Sequence, residues 1–350
     1  SNIHQHLYGR CTKLPYGRCI IELHIHQYIS QQRRMLKIHC HIFDYSFYFI
    51  SLSFKNHNYF IAPSLLFSMK HTRSVTLLLV LLFVTAQVLG LFIVSEYVTF
   101  ATITVGNMTY QEEVYKPLPY DIERPQFAKE TSYLPIIAII FVSTLLVLLI
   151  IKFGARVLWK LWVFLSVWFC LMIAFGAFSD KHLVVLIIGF VLALLQVLRI
   201  NHLIHNFTEL FIYGGLAAVF TPVLSVFSIS VLLLIISAYD FIAVHKTKHM
   251  VHMAEFQAKM QLFAGLLIPY GKKGEKTAIL GGGDIGFPLL FASVMLMEYS
   301  LWAAMIVVLT SALALSFLLV TSEKNKYYPA MPILSAGCFL GYGLIYLFLL

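Results

Sequence analysis

The chain has 350 residues, of which 60% are hydrophobic and only 12% are charged, and its mean hydropathy is +0.83. Soluble domains carry about 25% charged residues, so this composition excludes an ordinary soluble domain and indicates a protein that crosses the membrane several times. The net charge of +9 does not require a nucleic-acid partner, because membrane proteins gather Lys and Arg on one face. The five cysteines show no C-x-x-C pair, so no disulfide framework or metal site is predicted.

The first 68 residues differ from the rest of the chain. They hold seven of the fourteen His and three of the five Cys, with no sustained apolar period. The basic segment Met69-Lys70-His71-Thr72-Arg73, followed directly by an apolar run, has the form of a true start. We therefore interpret 1–68 as an atypical extension that is disordered or not native, and 69–350 as the membrane domain.

Apolar runs of the length that crosses a hydrocarbon core of about 30 Å recur along this domain. They predict an all-α polytopic protein with about nine transmembrane helices. The predicted spans lie at about 74–97, 133–151, 161–178, 182–198, 206–221, 223–244, 279–298, 300–320 and 332–350.

The distribution of positive charge predicts the orientation. With the Met69 end in the cytoplasm, fourteen Lys and Arg after residue 68 fall inside and only four fall outside, namely Lys116, Arg124, Lys129 and Lys181. Such a bias favours the side with more positive charge as the cytoplasmic one. The basic loop 245–278 would then be cytoplasmic, with an interfacial helix near 249–267, and the C-terminus would be extracytoplasmic. Glu209 and His205 are expected at the headgroup boundary.

Two carboxylates remain within the apolar spans, Asp240 and Asp284. Asp240 lies about five residues before the cytoplasmic end of the sixth span, and Asp284 about six residues after the start of the seventh. At a rise of 1.5 Å per residue, both lie roughly 7–9 Å inside the same boundary. Consecutive antiparallel spans are usually neighbours, so we expect the two carboxylates to meet at one depth.

A charge inside a bilayer costs at least about 2.5 kcal/mol, so an intramembrane Asp is a functional hypothesis by default. Two adjacent carboxylates can share one proton and activate water, one as base and the other as acid. Either residue could take either part. The same pair could instead line an ion or proton path, and the residues alone leave both interpretations open.

Two irregular segments lie on the same side of the membrane as these carboxylates. Gly281, Gly282 and Gly283 precede Asp284, although glycine costs about 1 kcal/mol per residue inside a helix. The segment Pro329-Ala330-Met331-Pro332 opens the ninth span, where each proline removes a backbone donor. Irregular backbone at membrane depth is tolerated only where it faces protein or a water-filled cavity. The sixth, seventh and ninth spans are therefore expected to converge on one site.

Three short motifs in this order resemble a known family. Tyr239-Asp240, Gly281-Gly282-Gly283-Asp284 and Pro329-Ala330-Met331 are similar to the YD, GxGD and PAL signatures of the presenilin and signal peptide peptidase family, most of all to its archaeal presenilin-like members. The resemblance covers about residues 70–350. Met331 departs from the usual Leu, and this swap conserves volume.

The resemblance implies an intramembrane aspartyl endopeptidase with nine spans and with Asp240 and Asp284 as its catalytic dyad. Tyr239, the three glycines, Pro329, Ala330, Met331 and Pro332 would bind substrate or shape the site. The expected substrates are membrane-spanning segments or remnant signal peptides, reached within the lipid bilayer. No metal, cofactor or nucleic acid is expected, and a homo-oligomer is compatible with the sequence. The alternatives are a prepilin-type GxGD peptidase and, outside enzymes, an ion channel or transporter that uses the two Asp.

Overall fold

The computed structural model describes residues 73–105, 108–198, 201–247, 263–270, 276–322 and 328–349. Nine α-helices lie in these ranges and follow the predicted spans in order. They are α1 Arg73–Glu96, α2 Tyr133–Phe153, α3 Arg156–Gly176, α4 His182–Leu198, α5 His202–Phe220, α6 Val226–Ile242, α7 Gly282–Glu298, α8 Leu301–Thr321 and α9 Met331–Leu349. The predicted extension 1–68 lies outside the described residues.

Seven of these helices have the length and apolar composition needed to cross a membrane, α6 being counted with the π-helical turn that extends it to His245. The other two, α4 and α7, have 17 residues each, which corresponds to about 26 Å of helix and lies at the lower limit for a span. Large apolar side chains such as Leu77, Leu81, Leu145 and Leu309 point outward and are exposed. The predicted all-α membrane fold is confirmed.

Helix α7 lies at the centre of the described bundle, where it packs against α1, α5, α6, α8 and α9. Its Ile285, Leu289, Phe291 and Met295 side chains are fully buried. A helix that is apolar on all sides is suited to such a position. In contrast, α2 packs on α3 and α6 and buries only Ile136 and Ile150.

Local capping chemistry fixes several helix ends. Ser225 and Ser228 form a reciprocal capping box at the start of α6. The Ser300 side chain accepts a hydrogen bond from Ala303 N–H at the start of α8. Gly154 ends α2 with φ 62°, a left-handed conformation that glycine adopts without a steric penalty. These signals separate helices that would otherwise run together as apolar sequence.

Two antiparallel hairpins interrupt the helical pattern. Strand β1, Val98–Val105, pairs with β2, Met108–Tyr115, directly after α1. Strand β3, Gly265–Tyr270, pairs with β4, Lys276–Gly281, directly before α7. In the second hairpin Leu266, Ile268, Ala278 and Leu280 are buried, while the alternate residues Leu267, Pro269, Thr277 and Ile279 are more exposed. This period of two is that of a half-buried sheet.

The second hairpin corrects two predictions from the sequence. An interfacial helix was predicted near 249–267. For the last of these residues the prediction is wrong, because 265–267 belong to strand β3. The seventh span was predicted to begin at 279, but the chain stays extended to Gly281 and the helix begins at Gly282. The short apolar runs in β3 and β4 are too brief for their period to distinguish strand from helix.

Candidate active site

Asp240 lies in the last turn of α6 and is only 5% exposed. Its Oδ2 accepts a hydrogen bond of 3.1 Å from the backbone N–H of Met331, and the Ala330 backbone also donates to this carboxylate. Met331 and Ala330 belong to the predicted Pro-Ala-Met segment. The sixth and ninth spans therefore meet through a direct hydrogen bond between two of the predicted motifs.

The start of α9 explains why this backbone N–H is available. The first N–H groups of any helix lack partners within the helix. Ala330 has no side chain that could cap them, although its carbonyl accepts the first bonds of α9, from Ile333 and Leu334. Asp240 supplies the missing acceptor from another helix. A carboxylate at a helix N-terminus is also favoured by the helix dipole.

Asp284 lies in the first turn of α7, three residues after the N-cap Gly281. Its carboxylate accepts a hydrogen bond from the Gly281 backbone, as an acidic residue at the N3 position does in a capping box. Gly281 has no side chain that could accept a hydrogen bond from the Asp284 N–H, so the second hydrogen bond of a capping box is not formed. The Asp284 side chain is half-buried.

The two carboxylates lie close enough for the charge of Asp240 to act on Asp284. Helices α6 and α7, which carry them, pack against each other. Each carboxylate also lies at the N-terminus of a helix, Asp240 at α9 and Asp284 at α7. The site thus consists of two acids on neighbouring helices, each at the positive end of a helix dipole.

The three glycines before Asp284 have different surroundings. A Cβ atom at Gly281 would lie 3.1 Å from Asp284 Oδ2, and one at Gly282 would lie 3.1 Å from Tyr213 Oη. A Cβ at Gly283 would meet no protein atom closer than 3.7 Å, on Phe287. Gly281 and Gly282 are therefore constrained by the protein itself, whereas the space beside the exposed Gly283 is open.

The other predicted site residues surround the carboxylates without all facing them. Tyr239 packs on α2, with its ring 5.6 Å from that of Phe141 in an edge-on arrangement. Pro329 and Pro332 are buried on either side of the Ala330-Met331 segment. Tyr239 therefore anchors the peripheral helix α2 beside Asp240, and the prolines shape the start of α9.

Sequence reasoning missed two polar contacts that hold the site helices together. The buried hydroxyls of Ser237 on α6 and Ser335 on α9 lie 2.8 Å apart. The buried amide of Gln87 on α1 donates a 2.9 Å hydrogen bond to the Ile285 carbonyl, next to Asp284. A neutral polar residue inside an apolar span indicates from sequence that some hydrogen-bond partner exists. The spacing of such residues along the chain does not identify that partner.

A third polar cluster surrounds Glu209, which was expected at the headgroup boundary. Its side chain is only 3% exposed and is buried within the bundle. It accepts hydrogen bonds from Tyr213 Oη at 2.6 Å and from Gln196 Nε2 at 2.9 Å. His205, expected at the same boundary, is part-buried against Gly265 of β3. These groups face the hairpin and the start of α7.

In the ranges that the structure describes, no three His, Cys, Asp or Glu side chains come together in a way that could hold a metal ion. The site itself contains a pair of aspartates in a helical membrane bundle. Fold and site together define the class of an α-helical membrane protein with two carboxylates on neighbouring spans.

The fold is similar to that of two solved structures. Two solved structures of a presenilin family intramembrane aspartate protease, in the C222 and P2 space groups, match the chain with TM-scores of 0.55 and 0.52 and 18% sequence identity. Each match covers 77% of this chain, and 97% and 96% of the respective solved chains. At this identity the likeness shows the fold. A comparison with curated proteins finds no match.

The family follows from the sequence comparison. The model of the signal-peptide peptidase, presenilin aspartyl protease family matches residues 89–349. The chain belongs to this family, and it is by family an aspartic endopeptidase of the membrane. The predicted family resemblance is confirmed.

Proposed function

We propose that Asp240 and Asp284 form the catalytic dyad of this endopeptidase, and that it hydrolyses peptide bonds within membrane-spanning segments or remnant signal peptides. The observation that carries the proposal is that two aspartates lie on packed neighbouring helices, Asp240 on α6 and Asp284 on α7, each at the N-terminus of a helix. A structural ion pair would bring opposite charges together, whereas two acids at one place are useful when they share a proton.

The reaction needs only water and the two carboxyl groups. The ionised carboxylate takes a proton from water, while the protonated one donates a hydrogen bond to the scissile carbonyl. The water oxygen bonds to the carbonyl carbon and gives a gem-diol. Proton transfer to the amide nitrogen then breaks the C–N bond and releases a carboxyl and an amine product. Either Asp can serve as the base.

A helical substrate must unwind before water can attack, and its freed backbone groups then need new partners. Strand β4 offers them. Leu267 of β3 directs its N–H and C=O away from β4, toward Asn206, so its cross-strand partner Ile279 directs its own groups away from β3. No hydrogen-bond partner of these Ile279 groups lies within the described residues. We infer that a substrate strand pairs along this edge.

The open edge leads directly to the dyad, because β4 continues into α7 and Asp284 is five residues after Ile279. A substrate strand on β4 would pass the open space beside Gly283. Gly283 would let the substrate backbone approach Asp284, while the Pro329–Pro332 segment would hold the opposite side of the site at Asp240.

The placement in the membrane and the domain limits belong to the same proposal. Following the charge bias, we place the Met69 end and the 245–278 segment in the cytoplasm and the C-terminus outside. We assign the protease activity to 69–350. Removing residues 1–68 should then leave cleavage of a substrate unchanged, and loss of activity would contradict this assignment.

The function is tested by reconstituting the full chain in liposomes with a peptide that contains one hydrophobic span. We expect cleavage, with mass spectrometry placing the cut bond inside the span. Cuts confined to the cytosolic border would instead support a prepilin-type peptidase. Ion flux without any cleavage would support a channel or transporter and overturn the proposal.

A further inference from the structure

Helix α5 carries a polar face that the proposed dyad mechanism does not use. His205, Asn206, Glu209 and Tyr213 lie on this face, at spacings of three and four residues that place them on one side of a helix. Polar groups inside a membrane helix are costly unless they are paired. All four have partners in the structure. His205, Asn206 and Glu209 bond to strand β3, and Tyr213 bonds to Glu209.

Asn206 binds the outer edge of β3 as a neighbouring strand would. Its Nδ2 donates a 2.8 Å hydrogen bond to the Leu267 carbonyl, and its Oδ1 accepts a 2.9 Å hydrogen bond from the Leu267 N–H. One side chain therefore satisfies both outward-facing backbone groups of a residue in the middle of the strand. Such a two-point contact fixes the position of β3 along its own direction.

Two further side chains hold the first residue of the same strand. His205 Nε2 lies 2.8 Å from the Gly265 carbonyl oxygen, and Glu209 interacts with the Gly265 backbone through a hydrogen bond. Gly265 has φ 151°, a conformation that favours glycine, and a side chain there would collide with Leu280 of β4. The start of β3 is therefore held from α5 on one side and by β4 on the other.

The same face reaches the start of α7. Tyr213, hydrogen-bonded to Glu209, would contact a Cβ atom at Gly282 through both Oη and Cε1, at 3.1 and 3.2 Å. The N–H of Gly282 in turn donates to the Ala264 carbonyl, just before β3. Helix α5, the hairpin and the first turn of α7 thus form one connected set of contacts around Asp284.

This connection determines where the open edge of β4 lies relative to the dyad. Strand β3 pairs with β4 in a fixed register, with Leu267 opposite Ile279 and Gly265 opposite Gly281. The position of β3 therefore determines the position of β4. Since β4 runs into α7, any shift of β3 along its direction moves the Ile279 edge with respect to Asp284. A substrate strand paired on that edge would be displaced by the same amount.

We propose that Asn206 is a positioning residue that selects the scissile bond, by clamping β3 and thereby fixing the register of the substrate strand on β4. The proposal rests on the protease function proposed above. Asn206 does not touch the reacting atoms. Its effect is on which peptide bond reaches Asp284, so the identity of the products reports it more directly than the rate.

The test compares Asn206→Ala with wild type on a single-span peptide, with the ends of all products identified by mass spectrometry. We expect Asn206→Ala to move a substantial share of the cuts, about half, to bonds one or two residues away. Asn206→Asp keeps an acceptor for the Leu267 N–H and should give a product pattern closer to wild type. The matched control is Asn201→Ala, which removes the N-cap of the same helix, bonded to Leu203 N–H, without touching the hairpin.

The control should lower stability and keep the wild-type product ratios. Unchanged ratios in Asn206→Ala would overturn the proposal, whether its total activity falls or not. So would an equal change of ratios in Asn201→Ala, because the effect would then come from a weakened α5. If wild type itself does not cut the peptide, the protease function fails first, which separates the two failures.

Discussion

The carboxylate of Asp240 on α6 accepts a 3.1 Å hydrogen bond from the backbone N–H of Met331, 91 positions further along the chain. The acid thus caps the N-terminus of α9 across a helix–helix interface. The bond gives the Pro-Ala-Met segment a physical role. Because Ala330 has no side chain that could cap α9, the Met331 N–H is available to donate to the acid. Two motifs distant in sequence form one structural unit.

This bond predicts opposite results for two changes at Met331. Met331→Leu keeps the N–H and nearly conserves the buried volume, so we expect at least half of the wild-type kcat/KM. Met331→Pro removes the donor at a helix position that tolerates proline. A hydrogen bond to a charged group contributes about 1.5–3 kcal/mol, so we expect kcat/KM to fall at least about tenfold. Equal activity of the two variants would contradict a role for the N–H.

Gly283 should show opposite effects on stability and activity. A methyl group there meets only Phe287 at 3.7 Å, and alanine is favoured over glycine in a helix by up to about 1 kcal/mol. Gly283→Ala should therefore unfold at an equal or higher temperature, yet cleave more slowly because the methyl group fills the space that the substrate backbone needs. Thermal unfolding and single-turnover cleavage measure the two effects.

Gly282→Ala is the matched control for that change. Its methyl group would lie within 3.1–3.3 Å of Tyr213 and the Ala264 carbonyl, so it should gain no stability. Full activity of Gly283→Ala would show that substrate backbone does not approach there.

The hydroxyl pair Ser237–Ser335 should couple α6 to α9 energetically. The two hydroxyl oxygens lie 2.8 Å apart. Replacing either serine by alanine removes this hydrogen bond from the other buried hydroxyl, and we expect it to lower the free energy of unfolding by about 1–3 kcal/mol. The double variant should cost less than the sum, with a coupling of about 0.6–1.7 kcal/mol, the range found between membrane helices.

A double-mutant cycle of unfolding in detergent measures this coupling. Ser316→Ala is a suitable control, since its hydroxyl bonds to Ala312 within its own helix and should add independently to either change. Strict additivity of Ser237→Ala and Ser335→Ala would show that the pair contributes nothing to the interface.

Chelators should leave the enzyme active, because the proposed dyad activates water with carboxyl groups alone. We expect the same rate of peptide cleavage before and after extended dialysis against EDTA. A rate that falls on dialysis and returns with added zinc would contradict a mechanism in which the two aspartates suffice.

The helices and the candidate acids were predictable from sequence because both depend on strong local signals. Long apolar runs located nine helices with small shifts at their ends. Asp240 and Asp284 stood out because charge is rare inside such runs. Their flanking motifs then indicated the family that the comparison confirms.

The contacts that position these acids could not be predicted in the same way. Gln87 finds its partner 198 positions away, and Ser237 finds Ser335 98 positions away. Nothing in the local sequence of a neutral polar residue specifies such a partner. Strands β3 and β4 were missed because their apolar runs are short, and the role of Asn206 depends on that hairpin.

The most direct test of the account is the activity of the isosteric variants Asp240→Asn and Asp284→Asn on a single-span peptide. Asparagine keeps the shape of each side chain but can neither accept the proton of water nor share one with its neighbour. We predict that each variant folds as wild type does, by size-exclusion profile and thermal unfolding, and that neither produces detectable cleavage. Substantial cleavage by either folded variant would contradict the aspartate dyad.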